Sequence, residues 1–322
     1  MELSYCLINT NGRELLLGCL GSIARTHPRH VEHEVVILDN ASADGSAAAV
    51  RERFPSARVI ARERRAGITA NLDLVCREAR GRLLMFLNED CELTPGATAA
   101  LLAALEADPR AAAAGAMLLD RDGRPTSCAY RLPGFGAAVA GALFLHRWLV
   151  DESGGEEVRE VGWVRSAALL FRRGAAEEVG FFDTDYFFYG EDVDFQKRLR
   201  DAGWRILHVP AARVIHYEEA EDRRSASARR VVEFHRSRDI YMRKHHSTPT
   251  RLLVRALTAW SYAPRALAAI VLPGHSPWWY WLHARRALLP WRGEGMSEAA
   301  EAYNRRLASE QAVAARTARA AG

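Results

Sequence analysis

The chain alternates short apolar runs with longer stretches in which apolar residues recur every three or four positions. Leu3 to Ile8 is a largely apolar run closed by Asn9-Thr10-Asn11-Gly12, which predicts a buried strand and a turn. Leu15, Leu16, Cys19, Leu20 and Ile23 follow at helical spacing. Val35 to Leu38 predicts a second strand, closed by Asp39-Asn40. Ser42, Asp44 and Ser46 then supply turn and cap chemistry ahead of a helix from Ala47 to Phe54. Val59-Ile60 reads as a third strand and Thr69 to Ala79 as a helix. Leu83 to Leu87 reads as a fourth strand, ending at Asn88-Glu89-Asp90.

Farther along, Gly115 to Leu119 predicts a strand and Asp120-Arg121-Asp122-Gly123 a hairpin-type turn. Gly134 to Trp148, rich in Gly and Ala, fits neither period. Val161 to Phe171 reads as a strand, and Asp192 to Ala202 as a helix with Gly203 at its C-cap. Arg205 to Val209 and Arg213 to Ile215 are strand-like runs leading to His216, and from Ser225 the pattern is mostly helical. Repeated strand–helix alternation calls for an α/β fold with a doubly wound, mostly parallel sheet and helices on both faces. Residues 1–220 would form this unit and 221–322 a helical C-terminal extension. Ligands of such sheets bind beyond the carboxyl ends of the strands. Thr10, Asn11, Asp39, Asn40, Asn88 and Asp90 all stand at those ends.

Composition changes the picture in three places. A net charge of +4 over 322 residues is too small to argue for nucleic acid as the main partner. The basic residues are nonetheless uneven, crowding from Arg223 and Arg224 through Arg229, Arg230, Arg236, Arg238, Arg243 and Lys244. The 5 cysteines are scattered, with no CxxC pair, which argues against zinc or a disulfide framework and for reduced thiols in a cytoplasmic protein. The N-terminus lacks the pattern of a signal peptide. Leu252 to Leu272 is broken by Arg255, Pro264 and Arg265, short of the roughly 20 apolar residues a spanning helix needs. Beyond the α/β unit, Trp260, Trp278, Trp279, Tyr280, Trp281 and Trp291 interleave with Arg255, Arg265, Arg285, Arg286 and Arg292. That mixture admits two readings. One is peripheral association with the inner face of the cell membrane. The other is a helical subdomain or homodimer face with Trp in its core. Ser297 to Gly322 reads as an exposed terminal helix.

Six segments in order carry a resemblance: Leu7-Ile8-Asn9-Thr10-Asn11, Val36 to Ser46, Gly67-Ile68-Thr69-Ala70-Asn71, Leu87-Asn88-Glu89-Asp90, Gly180 to Asp194, and Val209 to His216. Together they resemble the family 2 glycosyltransferases of GT-A fold, and within them the bacterial rhamnosyltransferase-type branch.

The resemblance implies a metal-dependent enzyme that moves a sugar from a nucleotide donor to an acceptor hydroxyl with inversion. Asp90 fits the last position of the family's DxD motif and His216 its distal histidine. Together they would hold Mg2+ or Mn2+ against the donor diphosphate. Asn88 departs from that motif, replacing a charged ligand with an amide that can still hydrogen-bond. Asp192 is the implied general base and Glu191 the next candidate, both at the start of a helix whose positive end favours an ionised acid. Asp194 would orient the pair. Asp39 would accept from the N3–H of uracil or thymine, with Thr10, Asn11 and Asn40 holding the nucleoside. Gly67 would give close backbone approach, Asn71 would face the donor, and Arg65 would reach phosphate or solvent. Trp163 and Ser166 lie in the stretch that lines the acceptor pocket.

The branch implies dTDP-L-rhamnose as donor and a lipid-linked or cell-surface glycan as acceptor, such as one carried on a polyprenyl diphosphate. UDP-sugar transfer to another acceptor stays open. So does a non-catalytic nucleotide-sugar-binding homologue, which only Asn88 encourages.

Overall fold

The computed structural model describes residues 1–217 and 225–321. The expected boundary after residue 220, with Arg223 and Arg224, lies outside them. The first elements are β1 (Leu3–Asn9), α1 (Arg13–Thr26), β2 (His33–Asp39), α2 (Ser46–Arg53), β3 (Arg58–Ala61), α3 (Ile68–Glu78), β4 (Leu83–Asn88) and β5 (Cys91–Leu93). Next come α4 (Ala97–Ala107), β6 (Ala111–Leu119), β7 (Ala129–Tyr130), α5 (Phe135–Ala142), α6 (His146–Leu149), β8 (Arg159–Glu160), β9 (Trp163–Val164) and β10 (Ala168–Arg172). The chain continues through α7 (Arg173–Glu178), α8 (Glu191–Asp201) and β11 (Arg205–His216). It ends in α9 (Ser225–His245), α10 (Thr248–Ala268), α11 (Pro277–Leu288) and α12 (Met296–Ala321).

A nine-stranded sheet runs β3-β2-β1-β4-β10-β6-β11-β5, with β8 against β11, and β7 pairs with β9 in a separate ladder. The order β3-β2-β1-β4 is parallel, as the alternation predicts. β10 then enters antiparallel between β4 and β6, so the sheet is mixed. The strands read as continuous apolar runs because both faces are covered. Tyr5 and Leu7 join one buried cluster with Leu16, Ile37 and Leu101, while Cys6 and Ile8 join another on the opposite face with Leu72, Phe171 and Phe195.

Three segments differ from expectation for local reasons. Val161 to Phe171 is two strands, because β9 pairs with β7 in the separate ladder while β10 turns into the main sheet between β4 and β6. The two runs before His216 are one strand, β11, whose register shifts between Val209 and Arg213. Pro210 sits in that shift and has no N–H to give the ladder. Gly134 to Trp148, which had no clear period, forms α5 and α6.

A third core cluster, Tyr186, Val193, Ile240, Tyr241, Met242 and Val254, packs the start of α8 and the segment before it against α9 and α10. The C-terminal helices therefore cover the α/β unit rather than trailing from it. Among the described residues no helix is long and apolar enough to cross a membrane.

Candidate active site

Register brings the strand-end residues together. Asn9 stands opposite Asp39, and Ile8 opposite Asn88, so three adjacent parallel strands end side by side. Asn9 is fully buried; its amide N–H donates to Asp39 Oδ1 at 3.0 Å and to Ser42 Oγ at 3.1 Å, and its Oδ1 accepts from Gly12 N–H. The second Asp39 oxygen accepts from Ser42 N–H at 3.1 Å. Asn40 donates to Thr10 Oγ1 and the Ala66 carbonyl and accepts from Ala66 N–H at 2.8 Å. Asn11 sits at φ +57°, a left-handed conformation Asn tolerates, and its Oδ1 accepts from Ala43 N–H at 2.8 Å. Asn11 and Asn40 are thus engaged within the protein, holding the loops after β1, β2 and β3 to one another.

Gly67 opens α3, and its tight neighbour is not a ligand. A Cβ there would come within 2.6 Å of the Phe187 carbonyl oxygen, which accepts from Ile68 N–H at 2.8 Å. Gly67 therefore docks the loop after β3 against the segment that leads into α8. Asn71 is buried beneath it; its side-chain Nδ2–H donates to the Ala66 carbonyl at 3.4 Å and its Oδ1 finds no hydrogen-bond partner among the described residues. Arg65 points elsewhere than expected. Its guanidinium stacks 3.6 Å from the Tyr303 ring centroid, and its backbone bonds both ends of the Asn304 amide. Tyr303 O–H also donates to the Ala41 carbonyl at 3.2 Å. Helix α12 thereby folds back across the loops after β2 and β3, a contact some 239 residues long in sequence that no local pattern announces.

At the end of β4, Asp90 Oδ1 lies 3.2 Å from His216 Nε2, and Asn88 Nδ2 lies 3.4 Å from the same nitrogen. The β5–β11 pairing sets this up, since it aligns His216 with Cys91, next to Asp90. Ligand atoms of Asp90, Cys91 and His216 lie within 4.8 Å of one another. Cys91, however, donates its S–H to the Ala167 carbonyl, and burial pushes its thiol well up, so it stays protonated. The remaining donor set is one carboxylate and one imidazole with an amide beside them. That suits Mg2+ or Mn2+, with water and phosphate oxygens completing the shell.

Helix α8 brings the two acids. Gly190, at φ +79°, turns the chain into it, with Glu191 and Asp192 in the first turn. Beneath them Phe195, fully buried, packs on Phe182 at 4.4 Å and Phe171 at 5.3 Å, burial worth about 2–3 kcal/mol. Gln196 pins the helix to β9, accepting from Val164 N–H at 2.8 Å and donating to the Val164 carbonyl at 2.7 Å. Asp192 consequently faces the predicted acceptor stretch: its Oδ2 accepts from Ser166 N–H at 3.4 Å. Ser166 adjoins Ala167, which is bonded to Asn88, so this carboxylate stands one strand-end away from the Asp90–His216 pair. Burial raises the Asp192 carboxyl, against backbone N–H groups and Arg165 that lower it. Burial, then Asp192, pushes Glu191 up to about 8, and its Oε2 has no hydrogen-bond partner among the described residues.

Asp194 does not join that pair. It accepts from Tyr186 O–H at 3.1 Å, Arg198 at 2.8 Å, Lys244 at 2.7 Å and His245 at 2.8 Å, and the His245 and Lys244 contacts keep its carboxyl ionised against burial. Its work is to bolt α8 to α9. Sequence reasoning missed Asn9, Gln196, Lys244, His245, Tyr303 and Asn304. The one signal available was a polar residue on an otherwise buried run, as with Asn9 and Gln196.

An open α/β sheet with this order, and polar groups at its carboxyl edge, has the GT-A fold of glycosyltransferases. The family model described as Glycosyl transferase family 2 matches residues 4–127, and that for Glycosyl transferase family group 2 matches 137–292. An N-acetylglucosaminyl-diphospho-decaprenol L-rhamnosyltransferase of Mycobacterium tuberculosis is 31% identical over 233 residues, 66% of this chain and 75% of that one. Rhamnosyltransferase WbbL of Escherichia coli is 40% identical over 63 residues, 20% of this chain and 24% of that one. The chain therefore belongs to glycosyl transferase family 2, and within it is similar to rhamnosyltransferases. Two solved structures share the fold. GalNAc-T7 with UDP, GalNAc and Mn2+ aligns at TM-score 0.58 and 17% identity, over 85% of this chain and 52% of that one. S. aureus TarS with UDP-GlcNAc aligns at 0.58 and 13%, over 89% and 82%.

Proposed function

We propose that the protein is an inverting, divalent-cation-dependent rhamnosyltransferase that takes L-rhamnose from a dTDP donor and attaches it to a hydroxyl of a polyprenyl-diphosphate-linked amino sugar. The observation that carries this reading is the Asp192 carboxylate held by Ser166 N–H, one strand-end from Asp90 and His216. Asp39, Thr10 and the adjoining loop backbone receive the pyrimidine nucleoside, with Asn9, Asn11 and Asn40 fixing that receptor in shape. Asp90 and His216 would hold Mg2+ or Mn2+, which when bound neutralises charge growing on the departing diphosphate. Asp192 takes the proton of the acceptor hydroxyl as that oxygen bonds to the anomeric carbon. The bond from that carbon to the diphosphate oxygen breaks on the opposite side, and the nucleoside diphosphate leaves with the electron pair. Configuration inverts because a single displacement occurs. Burial favours this base, since a raised pKa makes the ionised form a better proton acceptor. The acceptor class is taken from the mycobacterial relative, and peripheral membrane association follows from a lipid-linked acceptor.

The test is direct. The chain is incubated with dTDP-L-rhamnose, N-acetylglucosaminyl-diphosphate carried on a farnesyl chain, and Mn2+. The expected result is dTDP release with one rhamnose added to the acceptor, abolished by EDTA and restored by Mn2+. Product NMR should report the anomeric configuration opposite to the donor's. Turnover unaffected by EDTA would remove the cation, and a retained configuration would remove the single displacement.

A further inference from the structure

We propose that an apolar groove beside the acceptor stretch binds the first isoprene units of the lipid-linked acceptor, with Arg131 at its mouth facing the acceptor's diphosphate; this rests on the acceptor class proposed above. The groove has a volume of about 480 Å³ and is walled by Leu132, Phe135, Val139, Ala140, Leu143 and Leu149. Among its described lining residues Arg131 carries the one charge. An apolar channel of this size with a single cation at one end matches a hydrocarbon chain that ends in an anion.

Both ends of the groove lead where such a ligand would go. At the inner end the Trp163 indole N–H donates to the Arg131 carbonyl at 3.2 Å, and the Tyr130 and Trp163 rings stack at 5.0 Å. Trp163 lies three residues before Ser166, about 10 Å of extended chain from the N–H that faces Asp192. That spacing leaves room for a sugar and its phosphates between groove and base. Arg131 is two-thirds exposed, and it is its Nε–H that meets Glu152, at 3.3 Å. At the outer end Leu143, Trp148 and Leu149 are 61%, 72% and 47% exposed. Arg265 reaches over Phe144 at 4.9 Å, joining this rim to the end of α10, where Leu267, Ile270 and Val271 are also exposed. The rim is depleted of acid. Residues 131–150 contain no Asp or Glu, and residues 240–293 contain 8 Lys or Arg and no Asp or Glu. Lys244 and Arg255 are neutralised by Asp194 and Asp239, but an exposed apolar rim beside the remaining basic residues fits a lipid surface bearing anionic headgroups, from which the prenyl chain would enter.

Gly136 is a position from which a side chain can be grown into the groove without a clash at its Cβ. It lines the groove on α5, and a Cβ there would meet nothing within 4 Å. Replacing a helical Gly also improves helix propensity by a few tenths to about 1 kcal/mol. The experiment compares KM for the same N-acetylglucosaminyl-diphosphate carrying either a farnesyl or a methyl group. In the wild type the farnesyl acceptor should have a KM at least tenfold lower. Gly136→Trp, with Gly136→Leu as the milder filler, should collapse that ratio toward one, whereas Arg131→Gln should raise KM for both acceptors. A tenfold farnesyl advantage that survives Gly136→Trp overturns the groove. If neither acceptor turns over, the function proposed above fails, and farnesyl diphosphate alone still decides the groove by equilibrium binding. Binding weakened at least tenfold by Gly136→Trp supports it; equal binding to both proteins overturns it.

Discussion

The two sides of the cleft use polar side chains in opposite ways. At the ends of β1 and β2, the side proposed to hold the nucleoside, the Asn amides are fully engaged: Asn9 bonds Asp39, Ser42 and Gly12, and Asn40 bonds Thr10 and both backbone groups of Ala66. On the α8 side the first two carboxylates, Glu191 and Asp192, are more sparsely held. Glu191 has an oxygen without a partner among the described residues, and Asp192 accepts from backbone N–H groups at 2.8 and 3.4 Å. A saturated lattice makes a rigid receptor, since each amide fixes its neighbour. A buried, sparsely bonded carboxyl makes a proton acceptor, because desolvation raises its affinity for a proton. Rigidity and reactivity are thus built here by opposite treatments of the same chemical groups.

The most severe break of this contrast is Asp192→Asn. It keeps the shape and removes the base, so kcat should fall by about 10²–10⁴-fold, the usual worth of general base catalysis. Donor affinity should change less than about twofold, because the lattice is untouched. A wild-type rate in single-turnover assays would place the base elsewhere.

Glu191→Gln tests the sparsely bonded side through stability. The folded-state pKa, near 8, lies above the unfolded value, so the fold prefers the protonated acid. The contribution is fully present below the unfolded pKa and is lost as pH rises through about 8. Wild type should therefore lose on the order of a few kcal/mol between pH 5 and pH 9 that the Gln variant keeps, each tenfold change in proton affinity being worth about 1.4 kcal/mol. Urea melts at the two pH values measure it. Equal pH dependence in both proteins would mean that Glu191 is solvated.

Asn9→Ala attacks the saturated side. It leaves Asp39 Oδ1 and Gly12 N–H without their buried partner, a loss of about 1–3 kcal/mol per group. Donor Kd, by titration calorimetry with dTDP, should rise about tenfold or more, while the pH profile of kcat stays in place. A shifted profile would show that the two sides are coupled.

How much of this could be read from the chain follows the same division. β1, β2 and β4 were legible because strands buried on both faces leave apolar runs, and their polar ends marked the ligand edge. The acids of α8 were legible because Gly190 and a helix start fix their place. What each side chain bonds was not legible, because partners lie far off: Asn9 and Asp39 are 30 residues apart, and Asp194 and His245 51. Asp194 was expected to orient the acid pair, and only the packing of α9 shows that it holds two helices together. Gly67 was expected to admit the donor, yet the Phe187 backbone occupies the space a side chain would need. The fold-back of α12 left no trace in periodicity, since an amphipathic helix does not say which surface it covers.

That fold-back offers the finest probe of the contrast. Tyr303 closes the nucleoside lattice from outside, through its O–H on the Ala41 carbonyl and its ring under Arg65. Tyr303→Phe removes the hydrogen bond and keeps the ring. One part-buried hydrogen bond contributes about 0.5–1.5 kcal/mol, so if the lattice extends to α12, dTDP affinity should fall about two- to tenfold. Tyr303→Ala should lose somewhat more, because the cation–π contact adds about 0.5–1 kcal/mol at an exposed site. Neither change should move kcat at saturating donor, since the described contacts of the Tyr303 side chain are with Arg65, Ala41 and Arg306 and none reaches Glu191 or Asp192. Unchanged dTDP affinity in Tyr303→Ala would confine the rigid receptor to the sheet edge and leave α12 a merely external brace. A fall in kcat at saturation would instead mean that bracing the donor loops, which touch Phe187 through Gly67, also sets the position of the acids.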